Sequence, residues 1–259
     1  MRKLMLKSTY RYSLVQNLIA MGWVYAFSIG VPFVFTLLAM LHGSFAVTFE
    51  TASISANGSV EIATSIAVFI QMIVSFRATM RFSVQNGRSR LTVFVGELLN
   101  LFSVAAIYAV GNMLVELIFY APFHDVSLYS MVYGTPGVMG TFLSIVAHFL
   151  YSFAVLSSLG AFGMFLSAMY WRLDSIWKAV VSIGVPVLLV FGIPSMMVRS
   201  AAGLRIGSSF ARFIAWCMGL PVWDGVSLSP WRPVVFFLVL ALIWLVPVYP
   251  MLRRTIIKK

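Results

Sequence analysis

Residues 233–252 read PVVFFLVLALIWLVPVYPML, a run of twenty residues without a charged side chain, and Arg232 and Arg253 stand at its two ends. A helix rises about 1.5 Å per residue and the hydrocarbon core of a bilayer is about 30 Å thick, so about twenty apolar residues cross it once. The stretch therefore predicts a transmembrane helix. A second uncharged run, between Lys178 and Arg199, has the same form.

Four further apolar stretches extend this pattern over the whole chain. We predict an all-α integral membrane protein with one transmembrane domain over 1–259 and spans near 18–41, 60–80, 91–118, 138–169, 179–198 and 233–252. Hydrophobic residues make up 61% of the chain and charged residues 10%, against about 25% charged in soluble domains, which excludes a water-soluble protein. The second span is short, because only fifteen residues separate Glu61 from Arg77, and we expect both side chains to extend toward the headgroups.

The net charge of +11 is unevenly distributed. Lys and Arg precede the first span, follow the second, fourth and sixth, and are absent from connections 42–59 and 119–137. Because positive residues are retained on the inner side, this predicts a cell-membrane protein with both termini cytoplasmic. The charge indicates contact with anionic membrane lipids and not with nucleic acid. Connection 199–232 carries four arginines and departs from the pattern, which long loops obey less strictly.

Three segments predict features beyond the plain spans. Residues 1–17 mix basic and apolar side chains, which predicts an amphipathic helix on the inner leaflet, with a frayed leader as the alternative. Gly184–Pro186 and Gly192–Pro194 predict a kink in the fifth span. Residues 213–220, FIAWCMGL, are too short to cross and either form a re-entrant segment or lie at the surface.

Residues 77–94, RATMRFSVQNGRSRLTVF, join the second span to the third. Arg77, Arg81 and Gln85 recur every four residues, so we expect the second helix to continue out of the membrane. The Asn86-Gly87 pair then ends that helix, and Ser89 caps the next one. The product is a helical hairpin with a basic tip, which is either a solvated loop or a docking element for a cytoplasmic partner.

Polar residues inside the spans are the candidate pathway residues: Glu97, Asn100, Asn112, Glu116 and His148. The first four lie within an arc of about 160° on the third span, so this half should face other helices or a hydrated cavity. They serve either as packing groups, with both glutamates reaching water, or as a proton or substrate path. Small residues cluster in the fourth span and permit close packing within the chain or against a second copy. They are Ser157, Ser158, Gly160, Ala161 and Gly163.

Motifs for catalysis are absent from the sequence. It contains no G-x-x-x-x-G-K-[ST] phosphate loop, no H-E-x-x-H and no G-x-S-x-G. Cys217 is the only cysteine, which excludes an intrachain disulfide and a cysteine-based metal site. We therefore expect no catalytic residues, no metal and no enzyme activity from this chain by itself.

The basic N-terminal segment, the six spans and the stretch 81–94, RFSVQNGRSRLTVF, resemble the membrane subunit of ATP-binding-cassette exporters of the type-2 permease family. The resemblance covers the whole chain. It implies a permease that works as a dimer with a second copy or a paralogue. It also implies separate cytoplasmic ATPase subunits that bind ATP and Mg, while this chain binds no cofactor.

In that family the turn after the second span is the coupling element that touches the ATPase. The resemblance therefore implies coupling residues at six positions here: Arg81, Asn86, Gly87, Arg88, Ser89 and Arg90. The sequence does not identify the substrate, although the apolar walls favour an amphipathic or hydrophobic drug, peptide or lipid. Two alternatives stay open, namely a proton-coupled secondary transporter that uses Glu97, Glu116 and His148, and a membrane immunity or sensor protein that transports nothing.

Overall fold

The computed structural model describes residues 2–41, 59–123, 127–133, 142–184, 201–220 and 229–253. The helices in these ranges are α1 (Arg2–Leu41), α2 (Ser59–Gln85), α3 (Arg90–Phe123), α4 (Leu128–Tyr133), α5 (Phe142–Tyr170), α6 (Ser175–Ala179), α7 (Ala201–Cys217) and α8 (Trp231–Arg253). A turn of π-helix, Val180–Gly184, follows α6. Five of them, α1, α2, α3, α5 and α8, are long and apolar enough to cross a membrane. The chain is an all-helical, multi-pass membrane protein.

Five predicted spans correspond to these five helices. The predicted fifth span, 179–198, lies mostly outside the described residues, as do Pro186 and Pro194. Residues 213–220 fall at the end of α7, a helix of 17 residues that is not among the candidate membrane spans within the described part of the chain.

The N-terminal segment differs from the prediction. Residues 2–17 are the first turns of α1, which continues to Leu41 as one helix of 40 residues, so the separate surface helix expected over 1–17 is wrong. The reason is a buried polar stripe: Thr9, Ser13 and Asn17 follow one another at four-residue spacing and are all buried. Ser13 and Asn17 contact polar groups of the neighbouring helices, which keeps this part of α1 in line with its apolar continuation.

Contacts between helices fix their directions. α1 and α3 are parallel, since Ser13 meets Asn100 and Tyr25 meets Asn112. α2 and α5 are parallel to each other, because α5 residues 148, 162 and 167 meet α2 residues 61, 69 and 73 in the same order. α8 is parallel to α5, because the ring of Tyr151 contacts that of Phe237 and the ring of Phe162 contacts that of Trp244. We call the end with residue 2 the N-terminal end and the opposite end the far end.

The small residues of α5 pack inside the chain. Met72 and Val68 of α2 and Leu101 of α3 surround Gly160. A Cβ on Gly163 would stand 2.6 Å from the backbone oxygen of Phe69. The surface around these two glycines is therefore covered by α2 and α3 of the same chain and does not meet a second copy.

Candidate functional site

The hairpin between α2 and α3 has the local structure that its sequence predicts. Gly87 adopts a positive φ of 70°, and the N–H of Arg88 donates to the carbonyl of Ser83 at 2.9 Å, so α2 ends in a Schellman motif. Ser89 Oγ accepts the backbone N–H of Thr92 at 3.2 Å and caps α3. The predicted end of α2 at Asn86-Gly87 and the predicted cap of α3 at Ser89 are both confirmed. The hydrogen bonds at these two helix ends hold the turn in one conformation.

Two arginines of this turn are bound to the two ends of the chain. Arg88 donates to the hydroxyl of Thr9 and, at 2.7 Å, to Ser8 Oγ, both on α1. Arg90 donates to the carbonyl oxygens of Leu252 and Arg253 at 2.8 and 2.9 Å. These carbonyls belong to the last turn of α8, where a cation is favoured. The turn therefore connects α1, α2, α3 and α8 at the N-terminal end.

The remaining predicted coupling residues face outward. The exposed residues are Arg81, Asn86, Gly87 and Ser89. The side-chain amide of Asn86 donates a hydrogen bond to the carbonyl of Phe82 at 2.7 Å. Phe82 is 47% exposed and stacks on Tyr12 of α1 with a centroid distance of 5.4 Å. The six predicted residues thus divide into a group that faces outward and a pair that links helices.

Glu97 lies in a polar cluster toward the N-terminal end of the bundle and has no exposed surface. Its Oε2 accepts a hydrogen bond from Asn100 at 3.2 Å, and Asn100 also donates to Ser13 at 2.9 Å. Ser75 bonds Ser13 at 2.7 Å. The expectation that Glu97 reaches headgroups or water is wrong, because hydroxyl and amide groups of α1, α2 and α3 enclose its carboxyl group.

A second polar group joins the same three helices farther along. Tyr25 donates to Asn112 Oδ1 at 2.8 Å, and Asn112 donates to Thr64 Oγ1 at 3.0 Å. Gln71 donates to the hydroxyl of Tyr108 at 2.7 Å. Asn112 therefore links α3 to α1 and α2 through hydrogen bonds.

The third polar group lies at the far end and is centred on His148 of α5. Its Nδ1 is 3.4 Å from Glu116 Oε2 on α3, and its Nε2 is 3.6 Å from Glu61 Oε1 on α2. The imidazole side chain is 2% exposed, and those of Glu61 and Glu116 are 11% and 14% exposed. Tyr129 of α4 stacks on the imidazole with a centroid distance of 4.7 Å and an interplanar angle of 6°.

Glu116 is held from its other side by α4. Its Oε1 accepts the hydroxyl of Ser130 at 2.6 Å and the backbone N–H of Ser127 at 3.2 Å. Burial raises the pKa of Tyr129, so this phenol stays protonated beside the histidine near neutral pH. We call Glu61, His148 and Glu116 the far-end triad.

The candidate pathway residues thus fall into separate groups. Glu97 and Asn100 lie together, Glu116 and His148 lie together, and about 28 Å of helix separates the two glutamates. The predicted half of α3 does face other helices, since Glu97, Asn100 and Asn112 are buried. Sequence reasoning missed Glu61, which was expected to reach headgroups and is instead 8% exposed beside His148. An acidic residue in the first turn of a predicted span was the only signal for it.

Within the described ranges, no group of three or more His, Cys, Asp or Glu side chains is placed to hold a metal ion. Comparisons with protein-family models, with curated proteins and with solved structures find no match to this chain.

Proposed function

We propose that the chain is the membrane-spanning permease subunit of an ATP-binding-cassette exporter. The observation that carries the proposal is the 86–89 turn, which presents exposed groups outward while Arg88 and Arg90 bind α1 and α8. A force applied to this turn acts on four helices at once. An ATPase subunit can shift the bundle between two states only through contacts that differ between them, and such a turn offers that contact.

The proposal includes six spans in a cell membrane and cytoplasmic termini. Connections 42–59 and 119–137 contain no Lys or Arg, whereas the turn between α2 and α3, at the N-terminal end, contains Arg88 and Arg90. Since basic residues are retained on the inner side, this supports a cytoplasmic N-terminal end. Two copies of the chain, or this chain and a paralogue, would enclose the pathway above two ATPase subunits that bind ATP and Mg.

The proposed substrate is an amphipathic or hydrophobic drug, peptide or lipid. Support comes from an open groove on the outer surface between α1 and α2. Its lining is almost entirely apolar and includes the exposed side chains of Trp23, Phe27, Ile66 and Ile70. Such a lining contacts an apolar molecule without leaving polar groups unpaired.

The test is to express tagged full-length chain in its native host, extract it mildly and identify co-purifying proteins. We expect a stoichiometric ATPase that is lost in Arg81→Glu, because this exposed residue faces outward. Arg172→Glu is the matched control, since it reverses another exposed arginine, after α5 at the same end, and should retain the ATPase. Repeated purification of the chain without any ATPase would contradict the proposal.

A proton-coupled secondary transporter is the second candidate, favoured by the burial of Glu97 and His148 inside the bundle. Ionisable residues buried in a membrane commonly mark proton or substrate paths. Reconstituted chain without any ATPase would then accumulate substrate in response to a pH gradient, and absence of such transport would remove this candidate.

A further inference from the structure

The carboxyl group of Glu97 is enclosed by hydrogen-bonding groups of α1, α2 and α3. Four side chains surround it: Ser13, Ser75, Thr79 and Asn100. We call these four residues and Glu97 the Glu97 cluster. Glu97, Asn100 and Thr79 have no exposed surface. A carboxylate at this depth raises the free energy of the folded chain unless hydrogen bonds and a counter-charge compensate it.

The hydrogen bonds within the Glu97 cluster leave three oxygen atoms unbonded. The amide group of Asn100 donates to Glu97 Oε2 at 3.2 Å and to Ser13 Oγ at 2.9 Å, and Ser13 bonds Ser75 at 2.7 Å. Among the described residues, Glu97 Oε1, Asn100 Oδ1 and Thr79 Oγ1 are buried without a hydrogen-bond partner. Carboxylate and amide oxygens only accept, so the cluster contains more acceptors than donors.

No basic side chain in the described ranges forms an ion pair with Glu97. Arg88, which approaches α1 one turn before Ser13, donates instead to Ser8 and Thr9. The counter-charge for this carboxylate therefore has to come from a bound cation. One carboxylate is matched by one positive charge, because a divalent ion would leave a net positive charge in a medium of low dielectric constant.

A cation bound by oxygen atoms accounts for both the unbonded acceptors and the unpaired carboxylate. Hard cations prefer carboxylate and carbonyl oxygens. A proton on Glu97 supplies a single donor, whereas a metal ion binds several oxygens at once. We infer that the Glu97 cluster binds Na⁺ through Glu97 Oε1, Asn100 Oδ1 and Thr79 Oγ1. Helices as closely packed as α1, α2 and α3 favour Na⁺ over the larger K⁺.

The bound ion stabilises the N-terminal end of the bundle. Its ligands belong to α2 and α3, and Asn100 also bonds Ser13 of α1, so the three helices are held together around it. A ligand that binds the folded chain and not the unfolded chain raises stability as its concentration rises. The site belongs to this chain alone and does not depend on the proposed ATPase partner.

The test measures the unfolding temperature of purified full-length chain in detergent. Sodium chloride is compared with N-methyl-D-glucamine chloride at the same pH and ionic strength. We expect Na⁺ to raise the unfolding temperature of the wild type by about 3 °C, with saturation. Glu97→Gln, which removes the charge and keeps the shape, should abolish the rise. Thr79→Val removes one ligand and should increase the Na⁺ concentration for half of the rise about tenfold, so it decides alone if Glu97→Gln does not fold.

Glu116→Gln is the matched control, because it makes the same change on the same helix but in the far-end triad, and it should retain the rise. The inference is overturned if the wild type unfolds at the same temperature with Na⁺ and with the organic cation. It is also overturned if Glu97→Gln or Thr79→Val folds and keeps the full wild-type response. No ATPase is present in this measurement, so its failure is separate from a failure of the permease proposal.

Discussion

Glu97 has no exposed surface, although a carboxyl group in the interior of a bilayer protein is costly to bury. It is tolerated because its neighbours are hydrogen-bonding groups: Asn100 donates to it, and Ser13, Ser75 and Thr79 lie around it. Each of these groups would in turn be left with fewer partners if the carboxyl group were removed. The cluster is therefore interdependent, and a neutral side chain of the same shape should preserve it.

Glu97→Gln should keep the chain folded, whereas Glu97→Leu should lower the free energy of unfolding by about 1–3 kcal/mol relative to Glu97→Gln, since buried polar groups then lose a partner. Thermal unfolding in detergent measures the difference. Leu99→Ala, at a position 46% exposed on another side of α3, is the control and should change stability little. A leucine variant as stable as the glutamine variant would contradict this account.

Gly163 and Gly22 are both helical glycines, but only one has room for a side chain. A Cβ on Gly163 would meet the backbone oxygen of Phe69 at 2.6 Å, while a Cβ on Gly22 meets nothing within 4 Å. Gly163→Ala should therefore force α5 away from α2 and cost about 1–3 kcal/mol. Gly22→Ala should be neutral or stabilising by up to about 1 kcal/mol, because alanine favours the helix. Comparable unfolding temperatures for the two variants would refute the close packing.

At the scale of the elements, the sequence predicts what depends on neighbouring residues. The run of apolar residues in α8, the left-handed Gly87 and the Ser89 cap all follow from spacing and residue type, and the structure confirms them. Pairings between distant residues do not follow in this way. Arg88 bonds Ser8 across 80 positions, and His148 meets Glu61 across 87. Such pairs depend on which helices become neighbours, and hydropathy contains little information about that.

The last turn of α8 depends on one side chain from α3. Arg90 donates to the carbonyls of Leu252 and Arg253, and charge-assisted bonds of this kind contribute about 1.5–3 kcal/mol. Arg90→Gln should therefore increase the equilibrium constant for local unfolding of this helix end about tenfold. Trypsin cleavage after Arg253 should accelerate by a similar factor.

Arg81→Gln is the control for this experiment, because it removes an exposed arginine from the same hairpin and should leave the cleavage rate unchanged. Equal cleavage rates in the wild type and Arg90→Gln would show that the bond does not hold the end of α8.

At the scale of the whole molecule, the directions of α5 and α8 constrain the chain between them. The two helices are parallel, α5 ends at Tyr170 and α8 begins at Trp231. The end of α8 lies at the N-terminal end, where Arg90 binds it. Residue 170 is therefore at the N-terminal end and residue 231 at the far end. In a membrane, the predicted fifth span, 179–198, would join these two ends; it stays a prediction, because most of it lies outside the described residues.

Cysteine labelling from the two sides of the membrane tests this topology. In a background with Cys217→Ser, we expect Asp174→Cys and Gln85→Cys to react with an impermeant maleimide only from the cytoplasmic side. Ser229→Cys should react only from the opposite side. The reason is that 85 and 174 adjoin helix ends at the N-terminal end, whereas 229 precedes α8 at the far end. Reaction of residues 174 and 229 from one side would require an even number of crossings between them, which the parallel packing of α5 and α8 does not permit.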